Sequence, residues 1–227
     1  MSASDVPAGD SLELARLLEH PAIWRGRSAA RRAEALATGY AALDASLPGG
    51  GWPRTGLIEI LVARFGVGEL YLLLPLLAAL TGRPAARWCV WIAPPLDPYA
   101  PALAAHGVNL ERVLVVRVPS GDSPAGRAVA AESLWAFEQT LGSGASDVAL
   151  AWAVRDPRTR EIRRLQLAAE RGKALGVLFR PQRAARQSSS AVLRIAVESR
   201  PTGVRLTLLK SRGGARGSIE VEWTAGS

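Results

Sequence analysis

The stretch from Leu57 to Leu80, LIEILVARFGVGELYLLLPLLAAL, constrains this chain more than any other. It reads as a buried strand over Leu57–Val62, a glycine-bearing turn over Ala63–Gly68, and a long apolar helix in which Pro75 predicts a kink or an early break. Nucleotide-binding α/β domains place their phosphate loop at such a junction. That loop needs glycines for close backbone approach, a lysine for the β/γ-phosphates and a hydroxyl for Mg²⁺. Here Gly66 and Gly68 are followed by Glu69 and Leu70, and the only lysines are Lys173 and Lys210. The reading is a phosphate loop without its chemistry, marked by Gly66, Gly68 and Glu69. No cofactor is expected.

Strands and helices alternate beyond it. Trp88–Ala93, Val113–Val118, Asp147–Val154 and Leu175–Arg180 read as buried strands. Tyr99–His106, Ala125–Leu141 and Glu161–Lys173 read as helices between them. Ala191–Ser199, Val204–Lys210 and Gly217–Thr224 alternate like hairpin strands. The predicted fold is α/β: a doubly wound, mainly parallel sheet with helices on both faces and a C-terminal antiparallel extension. Residues 1–36 read as an arm with a short helix, and 37–227 as the core domain. In the arm, Leu14, Leu17 and Leu18 share a helical face, and Trp24 and Arg25 follow. These five are candidate partner-binding residues.

No apolar run reaches the ~20 residues of a membrane span, and no signal peptide is visible at the N-terminus. Cys89 stands alone, which excludes an internal disulfide or a Cys-based zinc site and fits a reducing cytoplasm. His20 and His106 are isolated. Neither a catalytic constellation nor metal-ligand spacing is present, so catalytic residues and metals are both read as none.

Charge is segregated. Residues 1–150 hold 12 Arg against 14 acids, a net of −2, whereas 151–217 hold 14 Arg and 2 Lys against 4 acids, a net of +12. A basic C-terminal third points to nucleic acid or an acidic protein face. The candidates are Arg155, Arg158, Arg160, Arg163, Arg164, Arg180, Arg183 and Arg186. With only Trp152 and Phe179 flanking them, both candidates for the core, these guanidiniums predict weak, sequence-independent, salt-sensitive DNA contact, or docking of an acidic partner.

Thr38-Gly39, Leu43-Asp44, Leu47–Gly51 and Leu57–Ile60, with Leu96–Ala100 and Gly107–Leu110, resemble the RecA superfamily. Within it the chain resembles the ImuA family, RecA-like accessory proteins of SOS mutagenesis grouped with the cell-division inhibitor SulA. The residues that carry this are Pro21–Gly26, Leu47–Pro53, Gly68–Leu70, Leu72–Pro75, Pro94-Pro95, Tyr99–Pro101, Leu134–Ala136, Arg163–Ala169, Phe179–Pro181 and Leu193-Arg194. The resemblance implies a non-catalytic adaptor of translesion synthesis and a degenerate ATPase. Besides the missing lysine, Trp152 stands where the metal aspartate is usual, and Pro94-Pro95 where the catalytic glutamate is usual. It implies as partners an inactive Y-family polymerase homologue, an error-prone replicative (DNA polymerase III alpha-type) polymerase and RecA. The implied location is cytoplasmic, on the nucleoid when DNA is damaged. Two other functions compete with it: a SulA-like cell-division inhibitor acting on a tubulin-like GTPase, and an active RecA-like ATPase.

Overall fold

The computed structural model describes residues 35–66, 68–118, 125–153, 155–211 and 216–223. The chain divides into two units, Met1–Ala33 and Glu34–Ser227. The candidate arm residues Leu14, Leu17, Leu18, Trp24 and Arg25 lie outside the described residues. The second unit is built on one eight-stranded sheet. Its strands are β1 (Gly56–Val62), β2 (Trp88–Ile92), β3 (Val113–Val116), β4 (Ser146–Trp152), β5 (Leu175–Pro181), β6 (Leu193–Arg200), β7 (Gly203–Ser211) and β8 (Gly217–Glu222). They lie in the order β3-β2-β4-β5-β1-β6-β7-β8. Neighbours are parallel from β3 through to β6, and β7 and β8 are antiparallel.

The helices are unequal. α1 (Ala41–Ser46), α2 (Leu74–Thr81) and α3 (Ala100–Ala105) have six, eight and six residues, whereas α4 (Ala125–Gly142) and α5 (Thr159–Gly172) have 18 and 14. This corrects the expectation of a RecA-like doubly wound sheet with helices on both faces. The fold is a mixed eight-stranded sheet with few helices, and short helical pieces replace long ones after β1 and β2. Pro75 shows one cause. It sits in the first turn of α2, where its missing N–H costs nothing, after the 3₁₀ turn Tyr71–Leu73. The proline therefore starts a short helix where the sequence suggested a kink in a long one.

β1 is central and buried along its whole length. Its side chains alternate between faces. Ile58, Ile60 and Val62 join the larger core layer with Trp91, Trp152, Phe179, Ile195, Leu206 and the leucines of α2. Leu57 joins the layer under α4 and α5 with Ile92, Phe137, Leu141, Ile162 and Leu165. Each such leucine, fully buried, contributes roughly 1.5–3 kcal/mol. α5 reaches α4 so closely that a Cβ at Gly172 would stand 1.9 Å from the Leu141 carbonyl oxygen. Upstream of β1, Leu36 exchanges two backbone hydrogen bonds with Trp52.

Candidate functional site

The turn after β1 is closed by its own side chain. Gly66 and Gly68 have φ of 82° and 98°, the left-handed region that favours glycine. Glu69 is 3% exposed, and its carboxylate accepts the Gly66 N–H at 2.7 Å. The amide that a phosphate would need is thus already bonded to an anion. A Cβ at Gly68 would meet the Trp223 ring at 3.1 Å. Trp223 in turn lies 5.3 Å from the Tyr71 ring and 6.0 Å from Tyr40, so an aromatic group packs behind the turn.

The positions matched to nucleotide chemistry are structural. Trp152 stacks on Phe179 at 4.7 Å and packs 5.8 Å from Trp91, so neither Trp152 nor Phe179 is available to a base. Asp97 pairs with Arg117 at 2.8 Å on the surface. Asp147, at the start of β4, accepts the Arg87 N–H at 2.9 Å and pairs with Arg83 at 2.7 Å. Burial raises its carboxyl pKa, but the Arg87 hydrogen bonds and the nearby Arg83 charge outweigh this and leave it lowered. Cys89 is buried, and burial pushes its thiol up to about 12, so it stays protonated at neutral pH. Among the described residues no group of His, Cys, Asp or Glu is arranged to hold a metal. Among the described residues no helix is long and apolar enough to cross a membrane.

The eight candidate arginines separate into two sets. Arg180 is 0% exposed within β5 and donates to Glu59 at 2.8 Å, to Asp156 at 2.5 Å and to Gln187 at 2.7 Å. Arg155 pairs with Glu161, and Arg164 with Glu138 at 2.6 Å. The Arg155 hydrogen bond, opposed by burial and assisted by the Arg158 N–H, brings the Glu161 carboxyl down to about 2. Arg158, Arg160 and Arg163 at the start of α5, and Arg183 and Arg186 in the 3₁₀ segment Gln182–Arg186, are exposed. An open groove of about 490 Å³, lined by Asp156, Pro157, Arg158, Thr159, Gln187 and Ser188, separates the start of α5 from the segment after Arg186.

The sequence reading did not anticipate the residues that hold Arg180. Glu59 lies in the middle of β1 at 0% exposure. Its carboxylate accepts from Arg180, from Arg194 Nε at 2.6 Å and from Ser189 Oγ at 2.8 Å. Arg194 also donates to the Gln187 and Ala184 carbonyls, at 2.9 and 2.7 Å. Burial raises the Asp156 carboxyl pKa, but the Arg180 and Gln187 hydrogen bonds and the Arg180 and Arg183 charges bring it below the ordinary value. The available signal was Glu59 itself: a carboxylate in a continuous apolar strand requires buried cations.

The family described as "Cell division inhibitor SulA" matches residues 63–176. A relative named cell division inhibitor SulA from Edwardsiella piscicida is 35% identical over 131 residues, covering 57% of this chain and 71% of that protein. A second, from Photorhabdus laumondii subsp. laumondii, is 30% identical over 106 residues, 47% of this chain and 54% of its own length. A crystal structure of SulA from Pseudomonas aeruginosa aligns with a TM-score of 0.43 and 26% identity over 55% of this chain and 97% of that one.

Proposed function

The chain belongs to the SulA family, and from that membership we propose that it inhibits cell division by docking on a component of the division machinery. The observation that carries this is the family match over residues 63–176, half of the chain. It replaces the ImuA assignment and the translesion-adaptor role. It likewise replaces the implied contacts with a Y-family polymerase homologue, an error-prone polymerase, RecA and DNA, and the mutagenesis role. Most motifs that suggested ImuA, from Gly68–Leu70 to Arg163–Ala169, fall inside the stretch that the SulA family claims. The competing reading of a division inhibitor is the one the relatives support.

The matched relatives are named as inhibitors, not as enzymes. Our reading of the mechanism is therefore non-catalytic. Glu69 occupying the Gly66 amide supports it, since a carboxylate there opposes a bound triphosphate. The target we propose is a tubulin-like GTPase, met in the cytoplasm. The exposed large apolar side chains of the described residues, from Tyr71 to Leu167, all lie inside residues 63–176. A protein-docking face within the shared stretch follows naturally from that distribution.

Induced expression of the full chain should give filamentous cells, with the division GTPase recovered on the tagged protein. Normal division at high expression, or no recovered GTPase, would overturn the reading.

A further inference from the structure

The outer surface of α4 and α5 carries features that the core does not use. Along α5, Arg160, Arg163, Arg164, Leu167 and Arg171 are exposed at helical spacing, while Ile162, Leu165, Ala168 and Ala169 face the sheet. On α4, Trp135 is 62% exposed, and Leu167 on α5 is 54% exposed. The Glu138–Arg164 ion pair, at 2.6 Å, joins the two helices between them. Trp135 stands one turn before Glu138, and Leu167 one turn after Arg164. An exposed tryptophan and leucine ringed by guanidiniums have the composition of an interface centre, where Trp and Arg are enriched.

We propose that this surface docks an acidic polypeptide segment of a protein partner. In that complex an apolar side chain of the segment covers Trp135 and Leu167 while its carboxylates meet Arg160, Arg163 and Arg171. Charge selects the occupant. Arg160 and Arg163 have no carboxylate partner among the described residues. The acids on this face are Glu132, Glu138, which Arg164 takes, and Glu170, to which Gln166 donates. A second copy of a chain of net charge +8 would bring like charges together. Phosphate backbone would leave Leu167 covered by nothing apolar. This inference stands apart from the division reading and does not require it.

The test is fluorescence polarisation of the full chain with a labelled Glu-rich peptide carrying two leucines four residues apart. A Lys-rich peptide of the same leucine pattern and a single-stranded oligonucleotide serve as comparison probes. The acidic peptide should bind best, more weakly as salt is raised. Its affinity should fall roughly tenfold in Trp135→Ala and in the pair Arg160→Glu with Arg163→Glu. Arg183→Glu with Arg186→Glu, on another segment, should leave it unchanged, and far-UV circular dichroism should be the same for all variants. No binding of the acidic peptide, equal loss in the Arg183/Arg186 pair, or preferred binding of the oligonucleotide would each overturn the proposal.

Discussion

Arg180 with Arg194, and Arg160 with Arg163, come from the same basic third of the chain and have opposite environments. The first pair is 0% and 5% exposed around the Glu59 carboxylate, while the second stands in solvent on α5. The difference lies in β1. An acid in its middle, on the face continuous with Leu57 and Leu61, cannot remain ionised alone and draws guanidiniums from β5 and β6. Where no acid claims them, as at Arg160 and Arg163, the arginines remain free to meet something else. Basic composition therefore does not by itself identify a binding surface; the placement of carboxylates, buried and at the surface, decides which arginines are left for one.

Variants can probe that contrast. The largest effect is expected from Glu59→Leu, which leaves two buried guanidiniums without their shared anion and should destabilise the fold by about 3–5 kcal/mol in urea unfolding. If the cluster acts as a unit, adding Arg180→Met to Glu59→Leu should cost less than the two single losses together. Additive losses would mean that Arg180 and Glu59 are independent. Next comes Gly68→Ala, which forces a left-handed φ of 98° on a residue with a Cβ close to Trp223. It should lower stability by about 1–2 kcal/mol and shift the tryptophan emission.

The Arg155–Glu161 pair provides an intermediate case at the start of α5. The Glu161 carboxyl lies at about 2, below its ordinary 4.5, so its contribution is complete above about pH 4.5 and is lost as pH falls towards 2. With both partners partly exposed, that contribution is about 1 kcal/mol. Glu161→Gln should flatten the acid limb of the stability curve in this window, and an unchanged limb would remove the pair from the account. The smallest effect belongs to Arg183→Glu with Arg186→Glu, expected within about 0.5 kcal/mol of the parent in thermal melts. A larger loss would mean that the Arg183 charge beside Asp156 supports the fold.

The sequence made the elements legible more fully than their arrangement. The expected strand Leu57–Val62 begins one residue earlier, at Gly56, and the expected helix Ala125–Leu141 runs to Gly142. Apolar runs and glycines are local signals, so elements can be read from them. The expectation of a RecA-like doubly wound class failed because alternation does not fix helix length, and Pro75 starts a helix of only eight residues. For the site, Glu69 was recognised as an acid where a phosphate lysine belongs, but not as the acceptor of the Gly66 amide. Arg180 read as a binding cation because its partner Glu59 lies 121 positions away, a pairing that no local pattern encodes.

β1 sits between β5 and β6, yet it is encoded ahead of residue 63, where the family match begins. Residues 63–176 taken alone would thus have no keel: only Leu175 and Gly176 of β5 would remain beside β4, and β1 and the strands from β6 onward would be missing. Gene fragments or proteolytic products bounded by those positions should aggregate or be degraded. A usable minimal chain must start upstream of Gly56 and run past Arg194.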